Sequence, residues 1–150
     1  MQILYTFRKL ALPAIVLVAL TSVTTITAQQ KTLYQRLGGY DALAAVTDEF
    51  IGRLATDKSL ERLFMGVSDN SKRRIRQLVL DQLCEVTGGP CYYIGRDMKT
   101  SHKGLKITEK DWDTSVRHLT ATLDKFKVPA REKKEVLTAI ASLKSDIVEQ

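Results

Sequence analysis

An all-α fold is what this sequence predicts, and three observations carry the prediction. Apolar residues recur at helical spacing in every long segment after Lys31. Clusters of glycine and proline interrupt those segments at roughly helix-length intervals. No run of alternating apolar and polar residues of any length competes with them, and no internal repeat is present.

The elements follow in order. Thr32 to Leu37 reads as a short helix stopped by Gly38-Gly39. Asp41 is expected to cap a second helix whose apolar face is Leu43, Val46, Phe50, Ile51 and Leu54. Leu60, Leu63 and Phe64 form a brief apolar turn before Gly66. A loop through Asp69-Asn70-Ser71 leads into a third helix, where Ile75, Leu78, Val79, Leu83 and Val86 share a face until Gly88-Gly89-Pro90 ends it. Residues 90–106 look irregular, and so long a loop inside a small domain points to function or disorder. Thr108 to Asp111 reads as a capping box for a long helix with Trp112, Val116, Leu119, Leu123 and Phe126 on one stripe. Pro129 opens a single last helix that buries Val136, Leu137, Ile140, Leu143 and Ile147.

A chain of 150 residues, 44% of them hydrophobic, can bury one sizeable core and hardly two. The first 28 residues stand apart from it. Arg8 and Lys9 precede an apolar run from Leu10 to Leu20, and Thr21 to Ala28 is small and polar. This reads as a secretory signal peptide cut after Ile26-Thr27-Ala28, with an uncleaved membrane anchor as the alternative; Pro13 and the threonines make a weak stop-transfer segment. Either way the domain at 31–149 is expected on the exported, periplasmic or extracytoplasmic side.

Formal net charge is +6, and removing residues 1–28 lowers it to +4, because Arg8 and Lys9 leave and no acid does. The densest basic cluster, Lys72-Arg73-Arg74 with Arg76, has no interleaved aromatics, so it reads as a solvated helix face rather than a nucleic-acid stripe. Two cysteines, Cys84 and Cys91, are too few for a disulfide scaffold. The Gly88-Gly89-Pro90 turn can fold one back on the other, and a bridge or two free thiols both fit the spacing. Thioether attachment of haem is excluded, since no Cys-x-x-Cys-His occurs.

His102 is the residue that carries chemistry. An imidazole on a short turn between a Gly-Gly-Pro break and a long amphipathic helix can serve as an axial ligand to haem iron, or can simply be a hydrogen-bonded histidine. His118, the other histidine, lies off the apolar stripe of its helix; it is expected to face solvent and not to act as a second ligand.

The surrounding residues narrow the choice. Leu33-Tyr34-Gln-Arg-Leu-Gly38-Gly39, then Asp41, Phe50, Phe64, Gly88-Gly89-Pro90, the run from Tyr93 through Gly95, Met98, Lys99, His102, Gly104, Leu105, Ile107 and Thr108, and finally Val128-Pro129 closely resemble the group I truncated haemoglobins, compact two-over-two globins. The resemblance spans about residues 31–149 with several motifs in order and spacing. It implies a two-over-two helical sandwich around haem b, a proximal histidine at His102, and pocket contacts at Phe64, Phe50, Met98, Lys99, Ile107, Trp112, Leu119 and Val136 or Ile140. It also offers haem propionates as partners for a basic residue near the start of the third helix. Phe64, Trp112 and Leu119 would be buried in any helical core, and Met98 would suit an irregular core gap as well as a ring edge.

The distal side departs from the family. Where many members carry a Tyr after the second-helix Phe, this chain has Ile51, and the third-helix Gln position falls on Val79, with Ile75 one turn earlier. The expectation is therefore an apolar distal pocket. Because Phe64 to Gly88 is longer than in the family, Gln82, on nearly the same face as Ile75, remains a candidate donor. A charge-assisted donor to a diatomic ligand is worth about 1.5–3 kcal/mol. Three functions stay open: reversible binding of dioxygen, nitric oxide or carbon monoxide; nitric oxide dioxygenation with an external reductase; and a haem-free helical interaction module.

Overall fold

The computed structural model describes residues 30–149; the segment 1–28, read above as an export signal or anchor, lies outside the described residues. Every regular element among the described residues is helical, and no helix among them is long and apolar enough to cross a membrane. The helices are α1 (Leu33–Arg36), α2 (Gly39–Thr56), α3 (Asp69–Val86), α4 (Met98–His102), α5 (Glu109–Lys125), α6 (Ala130–Ala141) and α7 (Lys144–Ile147), with a 3₁₀ turn at Glu61–Leu63.

Local chemistry sets most boundaries. Thr32 and Thr108 each close a capping box, with Gln35 and Asp111 as reciprocal partners. The Ser68 hydroxyl caps α3 by accepting from Ser71, so that helix begins at Asp69, within the stretch expected to be loop. Asp41 is not a cap. Gly38 takes φ +99°, a left-handed corner open to glycine, and the chain turns straight into α2 at Gly39, leaving Asp41 in the first turn where its charge suits the helix dipole.

The single last helix expected after Pro129 is two. The Ser142 hydroxyl donates to the Ala139 carbonyl (2.7 Å), and the Leu143 N–H reaches back only to Ile140 (3.0 Å), a tightened turn that stops α6 and lets α7 change direction.

The two long pairs, α2 with α3 and α5 with α6, are joined where α2 packs on α5. One core layer holds Val46, Leu119, Leu123 and Val136; a second holds Leu43, Leu80 and Cys84, with Tyr34 and Cys91 against it. Cys84 and Cys91 form a disulfide, which settles the choice that spacing left open. It ties the end of α3 to the loop that leads to α4. α1 is held from two sides: Tyr34 N–H donates to the Thr87 carbonyl (2.8 Å), and Arg36 bonds Glu132 (2.9 Å) and Glu135 on α6.

His118 corrects the expectation of an imidazole facing open solvent. It is half-buried, and its Nε2 bonds Asp57 Oδ2 (2.7 Å), linking α5 to the C-cap of α2. The Ser59 hydroxyl, and after it the His118 imidazole, hold the Asp57 carboxyl down from 3.8 to about 2. A carboxyl with a lowered folded-state pKa stabilises the fold above its unfolded value and loses that contribution as pH falls through the folded one. Urea midpoints should therefore decline between about pH 4 and pH 2, and Asp57→Asn should flatten that limb. An equally steep limb in the variant would assign acid sensitivity to other carboxylates.

Candidate haem pocket

A cavity of about 370 Å³ opens between α2, α3, α5 and the α6–α7 region, with α4 along one wall. Its lining is overwhelmingly apolar. Eleven of the residues singled out in the sequence meet there: Phe50 and Ile51 from α2, Phe64 after the 3₁₀ turn, Ile75 and Val79 from α3, Met98 and His102 from α4, Ile107, Trp112, Leu119 and Ile140. Ile75 is 38% exposed and so sits at the rim, whereas Leu119 is 2% exposed and forms the floor.

Two of the expected contacts lie outside this lining. Val136 does not line this cavity; it belongs to the core beside Val46 and Leu123 and borders a separate cavity of about 110 Å³. Ile140, one turn further along α6, reaches the large cavity instead. Lys99 is exposed. On α4 the cavity takes Met98, Ser101 and His102, positions i, i+3 and i+4, and Lys99 is rotated about 100° away from that face.

The sequence reading missed Tyr93, Ser101, Leu105 and Ser115 as cavity residues, and placed Leu143 and Ile147 only on a buried face. Tyr93 and Leu105 lay in the motif already quoted, so that motif was the available signal. Leu143 and Ile147 stand three and seven positions after Ile140, so helical spacing from that residue was the available signal for them.

His102 is the one imidazole in this lining. Its Nδ1 lies 2.7 Å from the Met98 carbonyl oxygen. A carbonyl only accepts, so Nδ1 carries the proton and donates, and the lone pair is left on Nε2. That is the tautomer a neutral imidazole needs to coordinate a metal, with the other nitrogen steadied by a backbone acceptor. Asp97 caps α4 by accepting from the Thr100 N–H (2.8 Å), which starts the turn that carries His102.

The polar edge of the cavity is sparse. Gln82 lines it, and its Oε1 is a buried polar atom without a partner among the described residues. Ile51, Ile75 and Val79 give this wall its apolar part, and Gln82 puts one polar group on it. Asp111 also borders the cavity. Burial pushes its carboxyl up, and hydrogen bonds from Thr108 with the Arg62 charge more than reverse this, holding it below the usual range.

These residues fit a haem. An apolar chamber suits a porphyrin face, an imidazole steadied at Nδ1 by a backbone carbonyl suits an iron ligand, and an unpartnered carboxamide oxygen suits a chamber that holds a polar guest.

Comparison with known proteins agrees. A family model described as bacterial-like globin matches residues 32–149. The group 1 truncated hemoglobin GlbN of Mycolicibacterium paratuberculosis is 32% identical over 120 residues, covering 80% of this chain and 86% of that protein. GlbN of Nostoc sp. (strain MUN 8820) is 32% identical over 117 residues, covering 78% and 97%. The crystal structure of truncated hemoglobin from Tetrahymena pyriformis in its Fe(III) form superposes with a TM-score of 0.73 at 25% identity, covering 80% of this chain and all of the other. With the helix order, the cavity and the lone imidazole, these matches make the chain a member of the bacterial-like globin family, a haem-binding globin of the group 1 truncated haemoglobins.

Proposed function

We propose that the protein holds haem b through His102 and reversibly binds dioxygen, nitric oxide or carbon monoxide on the opposite face. The observation that carries this is the His102 Nδ1 to Met98 carbonyl bond, which leaves Nε2 as a lone-pair donor in an apolar chamber. When bound, haem supplies an iron with a coordination position open to a diatomic ligand. Phe50, Phe64 and Trp112 wall the chamber and exclude water, which favours uptake of small apolar gases. Arg74 has no ion-pair partner among the described residues, whereas Lys72 and Arg76 pair with Asp69 and Asp48. It lies one turn before the cavity residue Leu78 on α3, so it is the proposed partner for a propionate. The Cys84–Cys91 bridge supports an oxidising, exported location for the domain.

Titration of the purified apoprotein with hemin tests the proposal. We expect a sharp Soret band that saturates at one equivalent and a ferrous form that shifts reversibly under dioxygen and carbon monoxide. Material that stays colourless after supplementation would leave only a helical domain without this task.

The distal wall adds a prediction about rates. The Gln82 carboxamide offers two N–H donors beside its unpartnered oxygen, and rotation about its terminal torsion brings either end to the chamber at small cost. Gln82→Leu should quicken dioxygen release about tenfold, and Ile51→Tyr should slow it roughly tenfold to a hundredfold, the range one charge-assisted hydrogen bond commands. Stopped-flow displacement reads both. An unchanged rate in either variant means that its position does not address the ligand.

A further inference from the structure

The loop that follows His102 has an architecture the haem pocket alone does not call for. α4 is five residues long and buries none of them, far short of the length at which a helix holds itself together. The chain leaves it at Lys103 and enters two left-handed residues, Gly104 (φ 84°) and Lys106 (φ 52°), the second unfavourable for a residue with a Cβ. Such a loop needs outside support to keep one shape.

It receives support on both sides of its peptide groups. The N–H of Gly104 and the N–H of Lys106 donate to the two carboxylate oxygens of Glu149, at 2.5 and 2.6 Å. Glu149 in turn donates its own N–H to the Ile107 carbonyl (2.8 Å). From the other side, the Arg62 guanidinium donates to the carbonyls of Leu105 (2.9 Å) and Lys106 (3.1 Å) and pairs with Asp111. The loop's N–H groups thus meet an anion and its carbonyls a cation, so both charges act with the peptide dipoles. Leu105 and Ile107, inside the clamped stretch, line the same cavity as His102.

We infer that Glu149 is a positioning residue for His102: its carboxylate, working against Arg62, clamps residues 104–107 and so fixes how the imidazole is presented to the cavity. This rests on the proposed haem-ligand role of His102. Without the Glu149 carboxylate, two peptide N–H groups lose their acceptor, the left-handed turn relaxes, and the exit from the one-turn helix is held from the Arg62 side alone.

The test compares wild type, Glu149→Ala, Glu149→Gln and a control, Glu109→Gln, which takes the charge out of the Lys144 tie between α5 and α7 without touching the loop. Three readouts are taken: amide exchange at Gly104 and Lys106 in the apoprotein, the iron–histidine stretching band of the ferrous haem form, and the rate of haem loss to an acceptor globin. For Glu149→Ala we expect lost protection at both amides, a shifted or broadened band, and haem loss faster by about tenfold, the low end of what one charge-assisted hydrogen bond is worth, because the effect on the imidazole is indirect. Glu149→Gln, which keeps one acceptor oxygen, should fall between, and Glu109→Gln should match wild type. Lost protection with an unchanged band would overturn the inference, since Glu149 would then hold the loop without placing His102. An equal band shift in Glu109→Gln would overturn it too, as general loosening of α7. A wild-type ferrous protein with no iron–histidine band would remove His102 as ligand and the positioning role with it, and the amide exchange would tell that failure apart.

Discussion

His102→Ala is expected to abolish the one-equivalent Soret titration, leaving at most weak, non-saturating uptake of hemin by the apolar chamber. The His102 side chain supplies the only imidazole in the cavity lining, and the remaining candidate donors there, the Met98 thioether and the Tyr93 phenol, are weaker ligands for ferrous iron. Loss of a group that merely orients a metal ligand costs about tenfold to a hundredfold in affinity. Removing the ligand itself should cost more, at least roughly a hundredfold. The fold should survive, because His102 lies on a five-residue helix that buries none of its residues. Circular dichroism unchanged from wild type, together with partial recovery of the Soret band on adding imidazole, would separate lost coordination from unfolding. A full one-equivalent band in the variant would mean that another side chain holds the iron, and the reading of the Met98–His102 turn would have to be abandoned.

That turn also shows what a sequence can and cannot disclose. Helical spacing picked out the inward residues of α2 and most of those of α5, but on α3 it took in Val86, which is exposed, and passed over Leu80, which is fully buried; the cap at Thr108 was legible because Asp111 closes it three positions away. The same spacing does not report depth along a stripe: Val136 and Ile140 occupy one face of α6, yet one lies in the core and the other in the chamber. Nor does it report contacts between distant segments. Asp57 and His118 are 61 residues apart, and Glu149 and Gly104 are 45 apart, so neither pair has a local signature. Lys99 was carried into the pocket by a motif, and the rotation of a short helix took it out. Ser142 illustrates a third limit: its periodic neighbours Ile140, Leu143 and Ile147 look like one helix, and the structure breaks it there, where the Ser142 hydroxyl bonds the Ala139 carbonyl and the Leu143 N–H reaches back only to Ile140.

Reducing the Cys84–Cys91 bridge should produce a large loss of stability without removing any core side chain. The two residues are seven apart in sequence, and cross-linking so small a loop restrains the unfolded chain by about 2–3 kcal/mol in the chain-entropy account. For a domain of this size that corresponds to a fall of roughly 8–12 °C in the apoprotein midpoint. Cys91→Ala is the cleaner substitution, since Cys84 is fully buried between Leu43 and Leu80 and its replacement would add a packing defect. The loss should be visible at the site as well. The bridge anchors the start of the loop whose Tyr93 lines the cavity and donates to the Arg96 carbonyl (2.7 Å) just before α4 begins. Gly89 packs so closely on the bridge that a Cβ there would stand 2.6 Å from the Cys84 sulfur, so the turn and the disulfide form one unit. Thiol titration should find no free cysteine before reduction and both after it. Calorimetry of oxidised, reduced and Cys91→Ala apoprotein then decides the matter: reduced and substituted forms should melt together, well below the oxidised form. A shift of less than about 2 °C would mean that the loop keeps its shape through Gly89 packing and the Tyr93 bond alone.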